Sequence, residues 1–387
     1  MKKFLSVVLA FLMLAVMLPT TALAAGKPVK VGETEYDTLE AAIAVAEPVN
    51  GVITYEITGK VTVDSTGWVQ VAKAGLTGPI TKVEFVGITD DAEIVIRDSK
   101  SILADQKYDI DVSFKNLTLS HPNGEWAQDY GHATNYFTCW LRNTKAAENT
   151  VTYTNCTFPN GVCNNQYGKT IFDNCNFTNN TSGLYNLWNY GGNTEIKNST
   201  FTGTRGVKLY SEGPSGGTVD IDNTKFDGLT EKAAVIASKP VEITITKVTV
   251  EDCNKGFITR DITGNDELTL NVNGSDISGT FNVTDATSAE AAKTELKITE
   301  GTFTGNTDSV KDYLPEGKTI NSNGAVVDKG ATPPTDGTIT IIVPSTEETP
   351  KTDDQKNPAT GANDMVAAAA ALMAVAALGM SILSRKK

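Results

Sequence analysis

One six-residue pattern recurs along the middle of this chain and restricts its fold more than any other feature. The segments Phe114-Lys-Asn116-Leu-Thr-Leu119, Tyr153-Thr-Asn155-Cys-Thr-Phe158, Phe172-Asp-Asn174-Cys-Asn-Phe177, Ile196-Lys-Asn198-Ser-Thr-Phe201 and Ile221-Asp-Asn223-Thr-Lys-Phe226 share one order. Each has an apolar residue, a spacer, an Asn, two further residues and a second apolar residue. Weaker copies run at Ile245–Val250, Val272–Ile277 and Ile298–Phe303. The central positions are 116, 155, 174, 198, 223, 247, 274 and 300, so successive differences are 39, 19, 24, 25, 24, 27 and 26. A period near 24 built from short β-type stretches reads as a stacked repeat, with Thr, Val, Ile and Phe in strands and Asn and Gly in turns. The residues two before, one after and three after the Asn are expected to face inward. Asn tolerates the left-handed backbone region and so can turn the chain between two strands. In register, its amides can also bond along the stack. About 300 residues at about 24 per coil predict roughly 12 coils, a rod near ~60 Å at the ~4.8 Å strand spacing.

These repeats resemble the right-handed parallel β-helix proteins of the pectate-lyase-like superfold, over about residues 28–326. The resemblance implies an all-β chain, a right-handed single-stranded parallel β-helix solenoid. It implies little about activity, because one fold hosts many functions. The start of the rod has its own logic. Asp37-Thr-Leu-Glu40 fits a capping box opening a helix over Leu39–Glu47, stopped by Pro48, with Leu39, Ala42, Ile43 and Ala46 on one apolar face. With Val29–Tyr36, this short N-terminal capping helix is expected to cover the first coil, since a stack otherwise leaves an apolar cross-section and a sheet edge in water. Thr319–Val327 is expected to supply a closing strand.

Both chain ends point outside the cell. Lys2 and Lys3 precede an apolar run from Phe4 to Leu18 and the small-residue site Ala22-Leu23-Ala24, the order of a secretory signal peptide cleaved after Ala24 or Ala25. At the far end stand Asn357-Pro358-Ala359-Thr360-Gly361, then the uncharged run Met365–Leu383, then Arg385, Lys386 and Lys387. A run of that length just spans a bilayer as a helix, and the basic tail behind it holds on the cytoplasmic side. This tripartite end resembles the cell-wall sorting signal of Gram-positive surface proteins, with Asn357 in place of the Leu of an LPxTG motif. The resemblance implies sortase and peptidoglycan as partners and Thr360–Gly361 as the scissile bond. The expected organisation is therefore a signal peptide at 1–25, a β-helix domain at 26–327, a Thr/Pro-rich wall-spanning linker at 328–356 and a sorting signal at 357–387. The protein belongs at the cell surface, membrane-anchored through its C-terminal helix only until it is sorted.

Charge narrows the partners. Removing both processed ends takes five of 33 basic residues and, with Asp364, one of 46 acidic ones, so the mature chain carries 28 against 45, a net −17. Such a surface repels nucleic acid and anionic lipid. Among the five cysteines, Cys156 and Cys175 occupy the same position of adjacent repeats, directly after the Asn. In-register neighbours there set Cβ atoms farther apart than a relaxed disulfide prefers. Buried reduced thiols are therefore expected over a Cys156–Cys175 bridge or a pair involving Cys139 or Cys163. There is no Cys-x-x-Cys, and neither His121 nor His132 has a ligand-spaced partner, so no metal or cofactor is expected.

Enzymes on this superfold that cut acidic polysaccharides need calcium-binding Asp clusters beside a basic residue, or paired carboxylates. The mature chain has only Arg97, Arg142, Arg205 and Arg260, spread along the rod. Asn306-Thr307-Asp308, Asp90-Asp91 and Gly131-His132 match fragments of the polygalacturonase motif set, but in the wrong chain order and without its Arg-Ile-Lys element. They read as turn residues, and no catalytic residue is assigned.

The step of 39 exceeds the period by about 15, marking an insertion over roughly His121–Arg142 that holds Trp126, Tyr130, His132, Tyr136 and Trp140. Tyr185, Trp188 and Tyr190 are expected to interrupt Thr181–Asn193 in the same way. Insertions in stacked repeats leave from one face and often build the binding surface. Aromatic faces beside Asn, Asp and Gln suit sugars, whose C–H faces stack on rings. The alternative is that the rings fold down over an exposed sheet; an acid–base site with Asp129 and His132 is a third reading. The chain is thus read as an adhesin-like binder of a glycan or host glycoprotein. A surface polysaccharide lyase or glycoside hydrolase, and a passive structural rod, stand as alternatives.

Overall fold

The computed structural model describes residues 26–63, 68–96, 102–105, 109–121, 137–141, 149–164, 168–189, 192–209, 218–237, 242–251, 253, 258–260, 268–277, 294–304, 307–311 and 313–331. The signal peptide, the sorting motif with Thr360 and Gly361, the run Met365–Leu383 and most of the linker lie outside them. Among the described residues no helix is long and apolar enough to cross a membrane.

The chain is all-β in character and built mainly from parallel sheets. In Val52–Ile57 every second residue (Ile53, Tyr55, Ile57) is buried, the period-two pattern of a strand with one face on a core. That strand starts a parallel series in the first sheet: Lys82–Gly87, Asp111–Lys115, Thr150–Thr154, Lys169–Asp173, Thr194–Lys197, Thr218–Asp222, Glu242–Thr246, Leu268–Asn273 and Thr294–Ile298. Register partners Tyr55, Phe85, Phe114, Tyr153, Phe172, Ile196, Ile221, Ile245, Val272 and Ile298 fall in one row across it. The row therefore has ten rungs among the described residues instead of the expected dozen. Its first two steps, Tyr55 to Phe85 and Phe85 to Phe114, are longer than the repeat period. The long step that follows keeps register, since Tyr153 sits directly beside Phe114.

A second parallel sheet of ten strands runs from Lys60–Val63 to Gly301–Phe303. Third-sheet strands lie in two groups, Trp68–Gln70 to Cys139–Leu141 and Val162–Asn164 to Ile258–Arg260, linked by a bridge between Phe137 and Val162. Side chains from all of these sheets enter one continuous buried cluster. Two ring stacks run through it. Tyr55, Phe85, Phe114, Tyr153 and Phe172 have successive centroids 5.0, 4.9, 5.1 and 4.9 Å apart. Phe158, Phe177, Phe201 and Phe226 follow at 5.0, 4.2 and 4.7 Å. Each buried Phe contributes about 1.5–3 kcal/mol through apolar area removed from water.

The corner between the first and second sheets is turned as the repeat predicts. Asn116, Asn155, Asn174, Asn198 and Asn223 have φ of 55, 53, 54, 53 and 45°, and Lys247 holds 50° at the same place. The amide ladder is interrupted once. Asn155 Nδ2 donates to Asn116 Oδ1 at 3.0 Å, Asn174 to Asn155 at 2.5 Å and Asn223 to Asn198 at 2.8 Å. Asn198 instead donates to Asp173 Oδ1 at 2.8 Å. One residue on, a second relay runs inside the core. Ser199 Oγ accepts from Cys175 N–H and donates to Lys197 O, and Thr224 Oγ1 accepts from Ser199 N–H and donates to Asp222 O. Each hydroxyl satisfies a backbone donor that the turn leaves outside the sheet ladder.

Both ends of the stack are covered. Val29–Val31 pairs antiparallel with Thr34–Tyr36 and with Val52–Ile57, which occupies the first sheet's open edge. Helix α1 (Leu39–Val45) buries Leu39, Ala42 and Ile43 beneath it. Its N-cap is Thr38, whose hydroxyl accepts from Ala41 N–H at 3.1 Å, not Asp37 of the expected capping box. Asp37 pairs with Lys27 instead, at 2.9 Å. At the far end, helix α2 (Thr307–Lys311) inserts the fully buried Val310. The expected closing strand is a hairpin, Lys318–Ile320 with Val326–Asp328, attached through Phe303 N–H to Gly324 O at 2.8 Å.

Candidate functional site

The outer surface of the third sheet carries the described aromatic residues of the expected platform. Val162, Leu187 and Val207 of three neighbouring strands enter the core cluster, and their partners Cys163, Trp188 and Lys208 form the alternate, outer row. Trp188 lies 4.4 Å beneath the Lys208 ammonium, measured to the ring centroid. Three residues earlier on each strand, Arg205 sits 5.3 Å from the Tyr185 ring. The pairing of Arg205–Leu209 with the next strand, Lys232–Ala237, shifts register between Arg205 and Val207, where Lys232–Ala237 carries one extra residue.

Tyr185 and Trp188 do not interrupt the parallel strand series as the sequence suggested. They belong to the regular strand Tyr185–Asn189 and are 6% and 5% exposed. Strands here lack the Asn-centred pattern, so nothing in the spacing distinguished them from a loop. Trp140 lies in the strand Cys139–Leu141, and only its own backbone course is described. Trp126, Tyr130, His132, Asp129, Tyr136 and Tyr190 lie outside the described residues, as do Ala24, Ala25 and Asn357, Pro358, Ala359. The stretch 122–136 leaves from the end of the second-sheet strand Thr118–Ser120 and returns at Phe137, which bridges Val162 of the third sheet. His121, at its start, is buried and donates its backbone N–H to Asn160 Oδ1 at 3.1 Å.

A polar clamp that the sequence did not reveal holds this face. Arg205 donates from Nε to Glu231 Oε2 at 2.8 Å and from Nη1 to Gly183 O at 2.6 Å, while Gly183 N–H donates back to Glu231. The Ser182 hydroxyl, followed by Arg205 and Gly183 N–H, keeps the Glu231 carboxyl below its ordinary range despite partial desolvation. Asn186 is fully buried; its Oδ1 accepts from Asn179 N–H, and its Nδ2 donates to Thr202 O and Arg205 O. Asn164, Asn189, Thr170 and Thr194 form a buried hydrogen-bonded set at the strand ends. Gly203, at φ 103°, lies so close to this turn that a Cβ would stand 2.1 Å from Asn179 O. No family model, curated protein or solved structure matches the chain.

Apart from Cys163, the other chemistry-bearing groups lie away from this face. Asp220 is pushed up by burial and by neighbouring Glu195 and Glu242, with Lys169 opposing, on the outer side of the first sheet. Asp308 pairs with Lys311 at 2.6 Å, and Asp90 and Asp91 lie in an exposed turn. All five cysteines carry free thiols. Burial pushes Cys163 up to about 12 and Cys175 well above the ordinary thiol range. Among the described residues, no three His, Cys, Asp or Glu side chains gather as a metal set.

Proposed function

We propose that the chain is a right-handed parallel β-helix, exported, joined to peptidoglycan through Thr360, and used at the cell surface as an adhesin-like binder of a glycan or glycoprotein. Short parallel strands stacked in register, with one core and covered ends, support the β-helix. The binding reading rests on the outer third-sheet face, where Tyr185 and Trp188 lie outside the core cluster under Arg205 and Lys208. Phe137, the first described residue after the aromatic stretch 122–136, bridges Val162 of the same sheet. Rings supply stacking surface for sugars, and the cations and the Glu231 carboxylate supply hydrogen bonds to hydroxyls.

The burial of both rings favours a second reading, a passive rod whose aromatic residues only cover a sheet. The two separate in one experiment on the purified secreted chain, offered acidic and neutral polysaccharides in solution and immobilised. Binding without released oligosaccharide, weakened at least about tenfold by Trp126→Ala or by Lys208→Ala, supports the adhesin reading (about 1.4 kcal/mol). Released fragments would make the protein a lyase or hydrolase, and no retention on any surface would leave the passive rod. Fragments of peptidoglycan ending at Thr360 test the anchor independently.

A further inference from the structure

We propose that Cys156 and Cys175 are a disulfide-forming pair that staples two neighbouring rungs when the exported chain folds in the presence of a disulfide oxidant. Thr157 pairs with Asn176 and Thr154 with Asp173, so the two cysteines stand opposite each other on adjacent parallel rungs. Strands at that spacing, about 4.8 Å, hold Cα atoms inside the window that disulfides span, even though the Cβ separation is wider than the relaxed optimum. Both sulfurs lean toward the preceding rung, Cys175 toward Cys156 and Cys156 away from it, so closure turns the Cys156 side chain back toward Cys175. Cys156 Sγ reaches Phe114 O at 3.5 Å, and Cys175 Sγ reaches Tyr153 O, on the rung of Cys156, at 3.5 Å.

The surroundings tolerate loss of both S–H groups. The Thr154 carbonyl, which accepts from Cys156, also accepts from Asn116 N–H, and the Asp173 carbonyl, which accepts from Cys175, also accepts from Asn155 N–H. Oxidation therefore orphans neither acceptor. The next rungs place hydroxyls at this position, Ser199 and Thr224, and the preceding one places Leu117, so two sulfurs meet only here in the series.

The reaction consumes one external disulfide, a small-molecule or protein dithiol in its oxidised form. One cysteine thiolate attacks it, expelling the first thiolate and leaving a mixed disulfide. The second cysteine then attacks that bond, forms Cys156–Cys175 and releases the second thiolate; both leaving groups take up the protons the cysteines lost. In the folded chain both thiols are 1–2% exposed and burial raises the Cys175 thiol, so exchange belongs to the stage before the rungs close or to their transient opening. Cys139 and Cys163 lie off this row, on third-sheet strands, and Cys253 is partly exposed farther along the chain.

The test is to isolate the secreted full chain without reductant, denature it, alkylate its thiols and map its peptides. Trypsin cuts after Lys145, Lys169 and Lys197, which puts Cys156 and Cys163 in one peptide and Cys175 in the next; fragmentation assigns the linked sulfur. The expected result is three alkylated cysteines of the five and a Cys156–Cys175 link. Reductant should lower the melting temperature of the native chain and leave that of C156S/C175S unchanged. Five alkylated thiols, or a link from Cys139 or Cys163 instead, would overturn the assignment. If the double variant fails to fold, the thiol count and the peptide link on the unmodified chain still decide it.

Discussion

Asn155 does two jobs with one side chain. Its backbone sits at φ 53°, and its amide both donates to Asn116 and accepts from Asn174. An alanine there strains the left-handed turn and removes both bonds, whereas a glycine removes only the bonds. Asn155→Ala is expected to cost about 2 kcal/mol and Asn155→Gly about 1 kcal/mol, partly screened by solvent at this exposed corner. Denaturant titration distinguishes the two, and equal losses would mean that backbone strain is not what selects Asn here. The repeat was legible at this level because one residue type must meet one backbone requirement at each corner. Lys247 meets the same requirement at φ 50°, which is why the copy at Ile245–Val250 looked weak while its geometry is regular.

At the scale of an element, a clamp joins Glu47, just past α1, to the loop beyond the third-sheet strand Trp68–Gln70. Glu47 pairs with Lys73 at 2.5 Å and accepts from Thr77 N–H and its hydroxyl at 2.9 Å each. The Lys73 bond first, then Thr77, hold the Glu47 carboxyl at about 2, against 4.5 ordinarily. A carboxyl depressed on folding stabilises the native state above its unfolded value. That contribution is fully present above about pH 4.5 and fades as pH falls toward about 2. Because Glu47 is half-exposed, solvent screening keeps the effect small. The melting temperature of the native chain should fall across this window more steeply than that of Glu47→Gln, and parallel curves would rule the clamp out as a titrating contact. This contact was not readable from sequence, since Lys73 and Thr77 stand far from Glu47 along the chain and follow no period. The strand Tyr185–Asn189 escaped detection for a related reason, although burial of its rings stood among the readings: the third sheet turns without a fixed residue type, leaving strand and loop alike in composition.

For the whole molecule, the ends decide solubility. Val29–Val31 occupies the edge of the first sheet that Val52–Ile57 would otherwise present to water, and α1 covers the apolar cross-section behind it. Deleting residues 26–47 should leave the later rungs paired but make the chain self-associate through that edge, seen as a concentration-dependent rise in light scattering. A monodisperse deletion variant would show that the hairpin and helix are not a cap. The architecture was legible from position 114 onward, where the Asn repeat runs. The two earlier rungs, Val52–Val63 and Lys82–Ile96, carry no Asn at the corner and were visible only as part of a total length, which is why the count of rungs was overestimated.

The longest step of the stack, Phe114 to Tyr153, and the shortest, Tyr153 to Phe172, are neighbours, yet their rings still stack at 5.1 and 4.9 Å. How far the chain travels between rungs is thus independent of how the rungs sit on one another. A lineage built on this plan can lengthen, shorten or exchange what hangs from its corners without renegotiating its interior. New specificity is then acquired by grafting at the periphery, while inherited change in the ladder itself is held to swaps of similar volume.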